Sequence, residues 1–307
     1  MEIHQLRYFC AVARTGSFTK AATLERVAQP SLSQQISRLE YDLGTRLFDR
    51  LGRGIQLTES GRALLPRALD ILRQVHAART TIESLSRNIG GRLAVGCIPT
   101  IMPYFLAPKL SGFTADYPEV ELHLVEDVTS NLVELLQSGD LDLAVLSPPV
   151  NNPDVVCSDL FREPIWVAVG KSHRLAGESS VSLPDLQEEK MLLLKEGHCF
   201  RDNALTICSR ARMNFVPIFE TNQFSSILPL VSAGLGISLV PEMAVTPDCG
   251  CCFLRLERQA YRRVGYMRVR QHALGSAQKA FISWLRTISA NIRPNRRDPE
   301  LSSAAHP

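Results

Sequence analysis

No stretch of this 307-residue chain is apolar for long enough to span a bilayer. Its first residues, Met1-Glu2-Ile3-His4-Gln5, lack the basic-then-apolar order of a secretory signal. A cytoplasmic location with no membrane partner is therefore expected, and the eight cysteines are expected to be mostly reduced thiols rather than structural staples. A large charge of one sign is missing too. The net charge of +3 is too small to surround the molecule with a field that would attract nucleic acid everywhere. The charge is unevenly spread, however: residues 1–90 carry 13 Lys+Arg against 8 Asp+Glu, whereas the remainder is slightly acidic. Metal-binding spacing is also lacking. Cys249-Gly250-Cys251-Cys252 is dense in thiols, but no histidine lies close and the paired spacing of zinc sites is absent. No metal and no cofactor are expected, and these three cysteines read as bystanders. Cys10, Cys97 and Cys157 sit in apolar contexts and read as core residues.

What the chain does have begins at Thr15. Two short helices joined by a tight turn can be drawn between Thr15 and Leu43. Ser17 is a natural N-cap for the first, and Pro30 suits the first position of the second. Ile36, Leu39 and Leu43 recur at helical spacing and are expected to face inward. The opposite face offers Gln29, Ser31, Ser33, Gln34, Ser37 and Arg38, side chains that reach base edges and phosphates in a major groove. A DNA-binding regulator follows as the leading idea, with double-stranded promoter DNA as its partner.

The whole run, with Ala21-Ala22, Val27, Gln29-Pro30, Leu32-Ser33, Ile36, Leu39-Glu40, Leu43-Gly44, Leu47-Phe48, Arg50-Leu51-Gly52-Arg53 and Leu57-Thr58, resembles the winged helix-turn-helix of LysR-type transcriptional regulators. One position departs: the family usually has leucine where Glu25 stands, and here Leu24 comes one residue early. The resemblance implies that Arg50 and Arg53 belong to a wing that touches DNA, that residues 1–58 are the reader, and that residues 59–89 form a dimerising linker helix. Leu65, Leu69, Leu72, Val75, Arg79, Ile82 and Leu85 step by threes and fours, as an a/d seam does. Pro66 lies near its start, and Gly90-Gly91 ends it as a hinge.

From Arg92 onward strands and helices alternate, which implies parallel sheet built from βαβ units. The segments 93–96, 120–124, 141–146, 165–169, 191–194, 215–219, 237–241 and 265–269 read as strands. Helices are expected over 104–115, 129–138, after His198, over 225–233 and over 276–292. This α/β arrangement resembles the family's effector domain, two α/β subdomains of periplasmic-binding-protein type. Residues 90–162 with 268–307 would form the first and residues 163–267 the second. The polar tail from Arg293 to Pro307 is expected to be disordered.

A second informative run is Glu196-Gly197-His198-Cys199-Phe200-Arg201-Asp202, with Cys208 nine residues after Cys199. Peroxides react with thiolate, not thiol. His198, Arg201 and a helix start at Cys199 are all expected to favour the anion. Peroxide-sensing members of the resembled family carry a Gly-His-Cys-x-Arg-Asp motif and a resolving cysteine at this same separation. Carried over, Cys199 is the peroxide-reactive thiol and Cys208 its disulfide partner. Thr100, Thr129, His198 and Asp202 match positions lining the peroxide pocket. An arginine near the returning strand belongs there as well, for which Arg268 and Arg270 both qualify. If residues 199–208 form one helix, its rise separates the two Cα atoms by about 13 Å. A disulfide needs roughly 4.4–6.8 Å, so closing it must unwind or fold back the segment, which could change oligomer geometry and promoter binding.

The function expected is a non-enzymatic, hydrogen-peroxide-responsive transcription activator of the oxidative stress response. It would act as a homodimer or homotetramer with RNA polymerase as a further partner. The competing reading is a LysR-type regulator whose effector is a small organic metabolite held between the subdomains and framed by Thr100, Thr129, Phe200 and Phe224, with the cysteines incidental. An enzyme with a Cys–His nucleophilic pair would leave both the DNA reader and Cys208 without a role.

Overall fold

The computed structural model describes residues 1–51, 54–84, 89–210, 216–246, 249–270, 273–290 and 292. The expected tail, Arg53 and Leu85 fall outside them, as do the side chains of Arg50, Arg79 and Ile82. The chain divides into two compact units, one centred on Met1–Ser86 and the other formed by most of the remainder.

The first unit runs α1 (Ile3–Thr15), α2 (Phe18–Leu24), α3 (Gln29–Leu43), β1 (Phe48–Leu51), β2 (Gly54–Leu57) and α4 (Glu59–Ser84). Ser17 caps α2, accepting a hydrogen bond from the Lys20 amide at 3.3 Å. Pro30 lies in the first turn of α3, where a missing amide costs nothing. Leu6, Phe9 and Val12 of α1 pack with Ala21 of α2 and with Leu32, Ile36 and Leu39 of α3. Leu43 is 40% exposed, so the inward stripe of α3 is Leu32, Ile36 and Leu39. Glu40 shows why an acid follows Leu39: its Oε1 accepts the Leu47 and Phe48 amides at 2.7 and 3.2 Å, tying α3 to the hairpin β1–β2. At the departing position, Glu25 closes α2 and pairs with Arg7 at 2.7 Å, while Leu24 is left 46% exposed. The linker seam is not free over its first turns. Leu72 is buried in the reader's own core, and Leu65 and Leu69 pack against it.

The second unit begins with β3 (Gly91–Cys97), a π-helical turn at Met102–Leu106, α5 (Leu110–Asp116), β4 (Val120–Glu126), α6 (Thr129–Ser138) and β5 (Leu143–Leu146). Pro103 immediately precedes the helix expected over 104–115 and Pro108 falls within it, and the chain there is a π turn and a 3-10 turn leading into the short α5. It continues through β6 (Val155–Gly170), β7 (Ser180–Val181), β8 (Lys190–Leu194), α7 (Cys199–Arg210), β9 (Val216–Thr221), α8 (Ile227–Ser232), β10 (Ser238–Pro241), β11 (Cys251–Leu256), β12 (Tyr261–Val269) and α9 (Ser276–Ala290).

The sheet is mixed rather than parallel. β3 pairs in parallel with β4 and β5, and β8 with β9. β6 and β12 return antiparallel, and β10 and β11 also pair antiparallel with β6. β6 is long enough to serve two sheets: its first part, Val155–Pro164, pairs with β12, and its second, Ile165–Gly170, with β10 and β11. β12 pairs with β6 from its first residues, which places Arg262 beside Glu163, and with β5 over Gly265–Met267. Around β8, α7 and α8 a second core forms from Leu192, Leu194, Phe200, Ala204, Cys208, Ile227, Val231 and Leu254. No helix among the described residues is long and apolar enough to cross a membrane.

Candidate functional site

Four elements bring their ends to one place. Thr100 lies just beyond β3 and is 1% exposed. Thr129 opens α6, Cys199 opens α7, and Arg262 stands near the start of β12. Ile98, Thr100, Val128, Thr129, His198, Cys199 and Phe200 line a narrow void, too tight to seat an organic molecule. Gly197 allows the approach of α7. Its φ of +91° is a conformation that a side chain rarely adopts, and it turns the chain so that Cys199 starts the helix. Two helix N-termini therefore face the void, and each favours negative charge.

Arg262 is the arginine of this site. Its side chain is fully buried, paired with the nearly buried Glu163. It donates to Thr100 Oγ1 at 2.8 Å and to the Thr100 carbonyl at 3.1 Å, and lies over the Phe200 ring at 5.1 Å. Glu163 also accepts the Met243 amide at 3.2 Å. Arg268 and Arg270 do not reach the void. Arg268 donates to the carbonyls of Val269 and Arg270, and Arg270 to those of Pro153 and Val155. The reason is register: the returning strand begins at Tyr261, several residues earlier than the apolar run 265–269 suggested, and its first residues adjoin the site. Asp202 lies in the first turn of α7 with its side chain exposed, outside the lining.

The electrostatics differ from the sequence expectation in instructive ways. Arg201 turns away from Cys199, donating to the Leu194 carbonyl and pairing with Glu220. His198 is buried, and burial pulls its imidazole below the usual histidine range despite the Asn222 contact and Asp127. At neutral pH it is a neutral ring, and its Nε2 has no hydrogen-bond partner. Cys199 itself is held above the ordinary thiol value, because burial outweighs everything else. Opposing that are the Thr129 hydroxyl, the Arg262 guanidinium and the Ser147 main chain, whereas Asp202 adds to the upward push. Thr129 Oγ1 is buried and makes no hydrogen bond of standard geometry, so it remains available to a guest.

A thiol held above its usual value reacts through a minor anionic fraction that grows about tenfold per pH unit. The rate of Cys199 oxidation is thus expected to climb about tenfold per unit between roughly pH 6 and pH 8. Stopped-flow measurement of peroxide loss checks this; a flat profile would mean a thiolate already formed at the lower pH.

Cys199 and Cys208 are free thiols on one helix. Phe200, Ala204 and Cys208 recur every four residues and form its buried face. Nine residues of α-helix amount to two and a half turns, so Cys208 projects from the side opposite Cys199 and about 13 Å along the axis. Burial pushes the Cys208 thiol up to about 11. On the reader, Gln29, Ser31, Gln34 and Arg38 are exposed along α3 and Ser33 is half-buried. Arg262, Glu163 and Ser147 were not marked by the sequence. The one available signal was a charged residue inside a strand, Arg262 in Tyr261-Arg262-Arg263-Val264.

Residues 3–62 match the bacterial regulatory helix-turn-helix of the lysR family, and residues 86–289 match the LysR substrate binding domain. The DNA-binding transcriptional dual regulator OxyR of Escherichia coli K12 is 34% identical over 248 residues, 81% of each chain. A full-length OxyR variant from Pseudomonas aeruginosa superposes with a TM-score of 0.67 at 27% identity over 94% of both chains. A mutant OxyR from Corynebacterium glutamicum with hydrogen peroxide bound gives 0.59 at 30% identity over 95% of both.

Proposed function

The chain belongs to the LysR family of bacterial transcription regulators, and we propose that it senses hydrogen peroxide through Cys199 and answers with a Cys199–Cys208 disulfide. One observation carries the reading. A thiol at a helix start shares a tight void with two threonines, one of which is gripped from behind by a buried arginine. Peroxide is close to water in size and needs only a small opening of this closed void, whereas an organic metabolite needs a much larger one.

The chemistry follows from the contacts. The Cys199 thiolate attacks one peroxide oxygen, the O–O bond breaks, and the second oxygen leaves as hydroxide, which takes up a proton to become water. Arg262 already donates to Thr100 Oγ1, which leaves the Thr100 hydrogen free to point at a peroxide oxygen. Thr129 offers a second hydroxyl, and Arg262 with the two helix N-termini stabilises the charge that moves from sulfur to oxygen. The sulfenic acid at Cys199 then condenses with the Cys208 thiol, releasing a second water. Because Cys208 lies on the far side of α7, the bond forms only if the helix unwinds. His198 positions the loop ahead of Cys199, and Asp202 acts at a distance through its charge.

On the DNA side, Gln29, Ser31, Ser33, Gln34 and Arg38 of α3 are assigned to the operator, with Arg50 and Arg53 of the wing. A homodimer or homotetramer and a contact to RNA polymerase complete the reading. Footprinting on the chain's own promoter tests it. Peroxide is expected to change the footprint of the wild type and to leave that of Cys199→Ser as in the reduced protein. An equal peroxide response in both would overturn the assignment.

A further inference from the structure

Cys249, Cys251 and Cys252 take no part in the site above, and two of them are arranged as a working pair. We infer that Cys249 and Cys251 form a second redox-active dithiol, closing to a disulfide across Gly250 by exchange with a low-molecular-weight disulfide.

The local geometry supports this at each step. Gly250 has φ +78°, in the region that favours glycine, and a Cβ there would come within 2.3 Å of Ser232 Oγ. The turn therefore favours glycine, and a side chain here would also displace the Ser232 hydroxyl. The turn folds Cys249 back on Cys251: the Cys251 sulfur lies 3.9 Å from the Cys249 carbonyl oxygen, and the Cys249 thiol is close enough to act on it as a hydrogen-bond partner. Cys251 also donates to the Leu228 carbonyl at 3.3 Å, which anchors it against α8. Residues two apart span at most about 7 Å even when extended, and a disulfide needs roughly 4.4–6.8 Å. A turn meets that limit without unfolding any helix, in contrast to Cys199 and Cys208. Cys252 is the next residue of β11, opposite Val169 where Cys251 stands opposite Gly170, so strand alternation puts it on the other face.

The two thiols have different roles. Cys249 is half-buried and Cys251 buried, so Cys249 is the attacking group. Its thiolate displaces one thiolate from the small disulfide and forms a mixed disulfide. Cys251 then attacks the Cys249 sulfur and releases the second thiol, so that two protein thiols are oxidised and one disulfide is reduced to two thiols. Burial, with the neighbouring thiols, pushes Cys251 up to about 12. Such a group is slow to attack but also a poor leaving group, so the closed bond resists reduction.

The test uses the full-length, reduced wild-type chain and the Cys199→Ser chain, each incubated with oxidised glutathione, alkylated and mapped by mass spectrometry. The expected result in both is loss of alkylation at Cys249 and Cys251 with a mass lower by two hydrogens on the peptide holding them. Cys252 stays alkylated. A stable glutathione adduct on Cys249, alkylation of both Cys249 and Cys251, or a bond to Cys252 would each overturn the inference. Because Cys199→Ser lacks the sensor thiol, failure here is separate from failure of the peroxide reading.

Discussion

Replacing Arg262 with methionine is expected to destabilise the effector region by about 3–5 kcal/mol, the cost of stranding one partner of a buried ion pair. Arg262 is 1% exposed and Glu163 3% exposed, and among the described residues no other cation is paired with that carboxylate. Burial already pushes the Glu163 carboxyl upward, and the Arg262 guanidinium is the main force holding it down. Without the arginine, Glu163 must take a proton or admit water. Urea unfolding with an intrinsic fluorescence readout measures the loss. The double variant Glu163→Gln, Arg262→Met is expected to recover much of it, since a neutral amide tolerates the site better than an unpaired charge. In function the two should be alike: both should oxidise slowly, because both lack the charge that favours the Cys199 thiolate and the grip on Thr100 Oγ1. Losing one such preorganised donor costs about 100- to 1,000-fold in comparable sites. An Arg262→Met chain as stable and as reactive as the wild type would show that the arginine neither compensates Glu163 nor assists Cys199.

Cys208→Ser is expected to change the outcome of oxidation rather than its first step. Cys208 projects from the far side of α7 and is 2% exposed, so it contributes nothing to the void in which Cys199 sits. The initial loss of peroxide should keep its rate to within about twofold, in line with a change outside the reacting site. The sulfenic acid at Cys199 should then persist long enough to be trapped by a dimedone-type reagent, or advance to sulfinic acid under excess peroxide. Disulfide formation should fall from near completion to nothing. A response to peroxide that survives this change intact would mean that sulfenic acid alone drives it.

Legibility in the sequence followed the range of the interactions. The reader was readable because its signals are local: Ser17 caps the helix that it precedes, and Leu32, Ile36 and Leu39 follow from helical spacing. The helix from Cys199 and the strands near 120 and 191 were readable for the same reason. Sheet direction was not. Alternation of strands and helices suggested parallel pairing throughout, whereas β12 pairs antiparallel with β5 and β6, and β10 and β11 with β6, a matter of connections that periodicity does not encode. The site divided the same way. Thr100, Thr129, His198 and Cys199 lie around one void, while Asp202 lies outside its lining. The pocket arginine was misplaced by several residues because the start of β12 is polar, and only pairing with β6 reveals that Arg262 rather than Arg268 or Arg270 points inward. Charge state was the hardest to read. Neighbours in sequence suggested cations around Cys199, yet Arg201 reaches elsewhere and His198 is desolvated into a neutral ring.

In the proposed switch peroxide joins two thiols lying on opposite sides of one helix, and α7 must open to let them meet. Amide hydrogen exchange across residues 199–210, combined with thiol mapping before and after stoichiometric hydrogen peroxide, tests both halves in one sample. The expected result is a Cys199–Cys208 disulfide, reversed by a dithiol, accompanied by a large loss of protection over that segment. A disulfide formed with protection unchanged, or a Cys199 that remains a free thiol, would contradict it.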